Sequence, residues 1–455
     1  MMVQGYDTVI CGAGIAGVAA AHSLTKLSNQ KILLIDSDSP LSLTSDKSTE
    51  CYRNWWLGSD GAMLGLMNRS IGLMEELASE SENRFLLNPH GYLFATAKTN
   101  EIANLERQAD KAERVGAGEI RKISRLSQYK SNSGACFIAD QAGSDLITNK
   151  MLIQELFPYL NKDTVAVLHA RRCGSLSAQQ LGMYLLEKAR DNGCDFKMAR
   201  FVGIETEAGQ VTGVNLEIDG REQTISTNTI VFSAGPHLGA VLERVGIKLP
   251  ILVEKHVKIS LPDPLGVVPR DAPLIIWNDS IRLPWSEQEK HQLKDSSETR
   301  WLLEEFVPGV HGRPVGAGNQ VLMYWTYESE VSQHPEFPIE WDPYLPEVTL
   351  RGMAVMVPGL SQYFDPMPRP YVDGGYYTKT QENRPVIGPI GPPGVFLSGA
   401  FSGFGIMAAC GAGELLARHV LNKQLPHYAM AFMPTRFNDP AYLDAIKNWD
   451  EDGQL

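Results

Sequence analysis

The chain has 455 residues, 43% hydrophobic and 21% charged, a composition ordinary for a globular protein and long enough for two or three domains' worth of core. Its formal charge of −12 argues against nucleic acid or an anionic membrane as partner. No apolar run reaches the roughly 18 residues of a membrane span. The N-terminal MMVQGYDTV lacks the basic region of a signal peptide. Six scattered cysteines without a C-x-x-C pair fit reduced thiols, so a cytoplasmic setting with no metal is expected.

The first unit reads strand, tight turn, helix, strand. DTVIC is a short β-branched run, VAAAHSLTKL a helix of small and apolar residues, and KILLID an unbroken apolar run typical of a buried parallel strand. Between the first two stand Gly12, Gly14 and Gly17 at G-x-G-x-x-G spacing. Glycine suits the tight turn at 12, the approach of a pyrophosphate at 14, and close helix–strand packing at 17. The helix start, with Ala13, Ile15 and Ala16, offers free N–H groups and a positive dipole end to phosphate. Asp36 closes the second strand 19 residues after Gly17, where a carboxylate bonds ribose hydroxyls and repels a 2′-phosphate. The competing reading is a tight βα turn with no ligand. The motif specifies an adenosine dinucleotide and does not say which.

SDSPLSLTSDKSTECYRNWW, which follows, is polar and then abruptly aromatic. GAMLGLMNRSIGLMEELASE places Met63, Leu66, Met67, Ile71 and Met74 at helical spacing, as a core helix requires. EIANLERQADKAERVGAG is a second, more polar helix. After Ala170, the helix GSLSAQQLGMYLLEKARDNG leads into several alternating strands, and TIVFSAG reads as a buried strand whose small residues admit a cofactor. Residues 241–369 are rich in Pro, Trp and charge, with ILVEKHVKISL and QVLMYWTYESE as antiparallel strands and SEQEKHQLK as a surface helix. Small-residue sequence then returns in RPYVDGGYYTKTQENRPVIGPI and GVFLSGAFSGFGIMAACGAGELLARHVL. The expected fold is α/β: a discontinuous Rossmann-like domain (1–89, 163–240 and 370–430) with an inserted α+β domain (90–162 and 241–369) on an antiparallel sheet. A short acidic tail, 431–455, ends the chain.

VICGAGIAGVAAAHSL…ILLID, IVFSAGPH, DGGYYTKTQENRPVIGP and SGAFSGFGIMAACGAGELLA occur in that order. Together they resemble the flavin amine-oxidase group of sarcosine oxidase, glycine oxidase, D-amino-acid oxidase and dimethylglycine dehydrogenase. The resemblance implies FAD, with the first domain holding the cofactor and the inserted domain the substrate. It implies oxidation of a C–N bond of an amino acid or N-substituted amine to an imine, with a hydride equivalent passing to flavin and then to O2 or another acceptor. It extends the cofactor contacts to Ser37, Ser48, Thr49, Val202, Ala234, Gly235, Gly403, Phe404, Gly405, Ile406 and Met407. The glycine-rich segment around Gly403 and Gly405, entering a helix, would place N–H dipoles where reduced flavin carries charge.

Departures from the family pattern carry their own expectations. Covalent members tether flavin through a cysteine where this chain has Gly375, so FAD is expected to be noncovalent. A substrate-binding lysine of the sarcosine oxidase branch is replaced by Met407, and its neighbouring histidine by Phe404. Arg53, on a loop that runs beside the flavin in relatives, and Arg313, in GVHGRPVG, are the candidate replacements, since Arg recognises carboxylate bidentately. His256 and His311 are candidate substrate ligands or bases. Tyr376 and Tyr377 alternate on a strand, so one of them, Tyr377 by choice, faces the flavin. The lysine that speeds reaction with oxygen is missing from NQVLMYWTYES, which favours a dehydrogenase. Two alternatives stay open: C–O oxidation of a 2-hydroxyacid or glycerophosphate type, and a flavin-binding assembly or regulatory protein without turnover.

Overall fold

A computed structural model describes residues 5–57, 60–131 and 136–448; the last part of the expected acidic tail, from 449 on, lies outside the described residues. The first strand, Thr8–Cys11 (β1), is buried along its whole length. It pairs in parallel with Ile32–Asp36 (β2) on one side and with Ile230–Phe232 on the other. Val395–Gly399 and Cys194–Met198 extend the sheet in parallel, and Val386–Pro389 closes one edge antiparallel. Three distant pieces of chain thus build one six-stranded sheet, as a buried parallel sheet with crossover connections requires. The helix Ile15–Leu27 (α1) packs against the helix Gly405–Val420. Their backbones approach so closely that a Cβ on Gly413 would lie 2.5 Å from the Ala19 carbonyl oxygen. The small residues at both ends of the chain are therefore a packing surface as well as a cofactor signature.

A ten-stranded sheet forms the second layer. Its longest strand, Ile251–Pro262, pairs antiparallel with Tyr371–Thr380 from Ile251 opposite Thr380 to Ser260 opposite Tyr371. On its other side it meets Gln320–Tyr324 and Glu330–Ser332. The sheet is mainly antiparallel, with two parallel pairs: Leu274–Trp277 runs parallel to Tyr92–Thr96, and Ile120–Ile123 parallel to Ser144–Ile147. Two expected boundaries also move. Ala166–Ala170, assigned from sequence to the cofactor domain, pairs with Tyr92–Thr96 and Ser144–Ile147 in the large sheet. Tyr371–Thr380 likewise belongs to that sheet. AVLHA is buried throughout, so it suits either sheet and only its pairing partner decides. The Met-bearing helix Ala62–Glu80 buries Met63, Leu66, Met67, Ile71 and Met74. Among the described residues no helix is long and apolar enough to cross a membrane.

Candidate active site

The turn after β1 shapes the first half of the site. Gly12 has φ +107°, a left-handed conformation that side chains resist, and a Cβ there would lie 2.3 Å from the Ser233 carbonyl oxygen. At Gly17 a Cβ would meet the Gly12 carbonyl oxygen at 1.8 Å. Gly17 therefore sets α1 down on the turn and does not line the cleft in front of it. The Ala13 N–H donates to Asp36 Oδ2 at 2.6 Å and the Asp38 N–H to Oδ1 at 3.1 Å, which fixes the carboxylate at one end of that cleft. Burial pushes the Asp36 carboxyl up, against these same hydrogen bonds.

The cleft, about 880 Å³ counting the space open to solvent, runs from Asp36 past the start of α1 to the start of the helix Gly405–Val420. Gly12, Gly14, Ile15, Ala16 and Ser48 line it, with Ala234, Gly235, Gly403, Gly405 and Ile406 across from them. Ser37 is exposed and does not line it; Val202 falls at the register shift between Phe201 and Gly203, also away from the lining. The lining includes residues that the sequence reading did not single out. Thr44 and Ser45 come from a short 3-10 turn, and the Ile15 N–H at the start of α1 donates to Ser45 Oγ at 2.9 Å. The Ser/Thr-rich run after Asp36 was the only available signal for them. Among the described residues neither cysteine nor histidine lines the cleft.

Beside the cleft lies a second pocket of about 770 Å³. Arg53, His256, His311 and Tyr377 converge on it, although they stand on four different strands. Thr49, Phe404 and Met407, expected at the cofactor, face this pocket instead, while Gly403 borders both spaces. Arg53 ends the strand Cys51–Arg53, opposite Cys173, and is 4% exposed. Its guanidinium carbon sits 4.7 Å from the Trp56 ring and 5.7 Å from the Phe404 ring. It is the one Arg or Lys among the described residues lining the pocket. Burial pushes His311 down to about 4, and the nearby Arg53 charge adds to this against a hydrogen bond to the Gly309 carbonyl. Burial also lowers His256. Burial thus favours the neutral form of both imidazoles.

Arg313 does not line the pocket. It donates to the Thr49 and Pro314 carbonyl oxygens, both at 2.9 Å, and pairs with Glu50 at 3.1 Å. It anchors the strand that leads to Arg53. The pocket also gains Tyr92, Leu274, Tyr324 and Thr326, none of which the sequence reading had picked out. Tyr324 OH meets His256 Nδ1 and lies 2.9 Å from Thr326 Oγ1. The His256 ring stacks on Tyr377 at 4.0 Å. A Cβ on Gly403 would come within 2.9 Å of Tyr377, so that glycine leaves room for the ring.

A family model described as FAD dependent oxidoreductase matches residues 7–419. The chain belongs to that family. It is 22% identical over 451 residues to mitochondrial dimethylglycine dehydrogenase of Rattus norvegicus, covering 95% of this chain and 45% of the relative. The chain thus spans about half the length of that curated relative. L-proline dehydrogenase of P. horikoshii has the same fold, with TM-score 0.72 at 19% identity over 96% of this chain and 99% of that one. So has glycine oxidase of Geobacillus kaustophilus, with TM-score 0.72 at 17% identity over 95% and 99%. The cleft fits FAD on this chain's own geometry. Asp36 at one end suits the adenosine ribose, the start of α1 suits the pyrophosphate, and the start of the Gly405–Val420 helix opens beside the second pocket.

Proposed function

We propose that this chain binds FAD noncovalently and oxidises the C–N bond of a small amine that also carries a carboxylate, an amino acid or its N-substituted form. The observation that carries this reading is Arg53: a buried guanidinium, the one Arg or Lys among the described residues that line the pocket beside the FAD cleft. A single fork-shaped cation matches a single carboxylate. The similar proteins point the same way, since dimethylglycine, L-proline and glycine each join an amine to a carboxylate. Bound FAD supplies the two-electron acceptor of the reaction.

The chain's own residues bind and orient. Arg53 holds the carboxylate, itself held between Trp56 and Phe404. The rings of Phe404 and Tyr377 with Met407 wall an apolar space that suits an N-alkyl group. Neutral His256 and His311 add no charge to repel a cationic amine as it enters. Gly375, in place of the tethering cysteine, supports noncovalent FAD, as does a cleft lining that holds neither cysteine nor histidine among the described residues.

Anaerobic mixing with dimethylglycine, sarcosine, L-proline, glycine and a set of 2-hydroxy acids tests this. At least one amine is expected to bleach the bound flavin, with an imine-derived carbonyl product. Bleaching by hydroxy acids alone, or by nothing in the panel, refutes the amine reading.

A further inference from the structure

Two buried titratable groups, one lining the second pocket and one behind it, have no part in binding FAD or carboxylate. Glu254 and His256 lie two residues apart on the strand Ile251–Pro262 and so share a face. Both are nearly sealed from solvent, at 6% and 7% exposure. His256 Nε2 lies 3.3 Å from Glu254 Oε2, at ion-pair distance though bent away from a straight hydrogen bond. Lys379, on the neighbouring strand Tyr371–Thr380, closes on the same Glu254 oxygen. On its other side, His256 Nδ1 meets Tyr324 OH.

We infer that Glu254, backed by Lys379, is a positioning residue that sets the tautomer and basicity of His256, making the His256–Tyr324 pair the acceptor of the substrate's ammonium proton. The inference rests on the amine reading above. A small amino acid arrives protonated at pH 7, and its nitrogen lone pair must be freed before the C–N bond can be oxidised. An ionised carboxylate only accepts hydrogen bonds, so Glu254 draws the imidazole proton to Nε2. Nδ1 is then the acceptor, and Tyr324 donates to it. The remaining lone pairs of the phenol oxygen accept from Thr326 and from the substrate. In the step, the ammonium N–H bond breaks and its proton goes to Tyr324 oxygen. The phenol's own proton passes to His256 Nδ1, and the imidazolium formed is stabilised by Glu254. His256, Tyr324 and Thr326 also line a separate cavity of about 900 Å³ on their far side, which gives the proton a way out that bypasses the substrate.

The ionisation pattern agrees. Burial alone would raise the Glu254 carboxyl, but His256 and Lys379 hold it down at about 2. Burial lowers His256, Glu254 opposes the fall, and Lys379 adds to it. The groups around His256 are Glu254 on its own strand, Tyr324 and His311 on the next strands, Tyr377 and Lys379 on the other neighbour, and Arg53 across the pocket. Lys255, Glu328, Glu330 and Asp342 border the far cavity, with Lys255 and Glu330 paired to each other.

The test is a ¹⁵N-histidine NMR titration of the FAD-loaded protein without substrate, with the His256 signal assigned by its loss in His256→Gln. The wild-type ring is expected as the Nε2–H tautomer. Glu254→Gln leaves Lys379 unbalanced and moves the His256 midpoint down by about 1 pH unit or more, whereas Lys379→Met moves it up. A merely structural role gives no such opposed pair. An Nδ1–H tautomer in the wild type, or midpoints that stay put or move together, overturns the inference. Should Glu254→Gln not fold, the wild-type tautomer and the Lys379→Met shift still decide it. The titration uses no substrate, so a panel in which no amine bleaches flavin refutes the amine reading and leaves this result distinguishable.

Discussion

Arg53→Met separates substrate binding from cofactor binding. Methionine fills much of the space between Trp56 and Phe404, so the local packing survives. The lost cation–π contacts, about 0.5–2 kcal/mol, are offset by removing a desolvated charge, and the melting temperature should move little. Carboxylate binding should not survive. Two charge-assisted hydrogen bonds from the guanidinium are worth about 1.5–3 kcal/mol each, and the described pocket lining holds no second cation to take over. The loss is therefore about 3–6 kcal/mol, or roughly a hundred-fold to ten-thousand-fold in Kd. The assay is titration with unreactive carboxylates, followed by the visible flavin spectrum, on protein whose flavin content matches wild type. Arg53→Lys, which keeps the charge and loses the planar fork, should fall between the two. A Kd within threefold of wild type in Arg53→Met, with flavin bound, would remove Arg53 from the site.

Other outcomes follow from the same geometry. Gly17→Ala puts a methyl group 1.8 Å from the Gly12 carbonyl oxygen, so α1 must lift off the turn; a loss of about 1–3 kcal/mol or more and protein purified without FAD are expected, by melting and by flavin absorbance. Acid precipitation of the loaded protein should leave the flavin in the supernatant as FAD; yellow pellets would contradict the noncovalent reading. Stability should fall as pH drops from about 6.5, the unfolded-state value of histidine, to about 4, the His311 value. In that window the unfolded chain takes up a proton that the buried imidazole refuses, whereas above it both forms are neutral and below it both are charged. His311→Gln should flatten the fall by up to about 3 kcal/mol, read as melting temperature against pH.

What the sequence made legible was local. The βαβ unit around Gly12, Gly14, Gly17 and Asp36 is built from neighbours in the chain, and its physics is contained in some thirty residues. The second pocket is not local, and it was read only in part. Arg53 and Arg313 look alike as letters; what separates them is their place in the fold, for Arg313 pairs with Glu50 while Arg53 lines the pocket. Tyr324 and Lys379 become site residues only because strands some seventy and one hundred and twenty residues away pair on either side of the strand of His256, a consequence of register that no short window contains. Thr49, Phe404 and Met407 line the second pocket and not the adjoining cleft, a distinction of a few ångströms that no short stretch of sequence contains.

One missing side chain, at Gly375, bears on how closely a loop of the cleft packs on its strand. A Cβ there would lie 3.2 Å from Lys47 Cβ and 3.3 Å from Thr44 Cα, so glycine lets the loop that lines the FAD cleft settle directly on the strand. The loop is fastened on both sides of that point. Thr44 Oγ1 donates to the Tyr376 carbonyl oxygen at 2.9 Å, and Lys47 pairs with Asp373 at 3.2 Å. Between these two fastenings the loop presents Ser45 to the start of α1. Ser45 is thereby held at the phosphate-facing end of α1 by contacts that depend on the absence of a side chain at position 375, so Gly375→Ala should loosen this loop before it disturbs the strand.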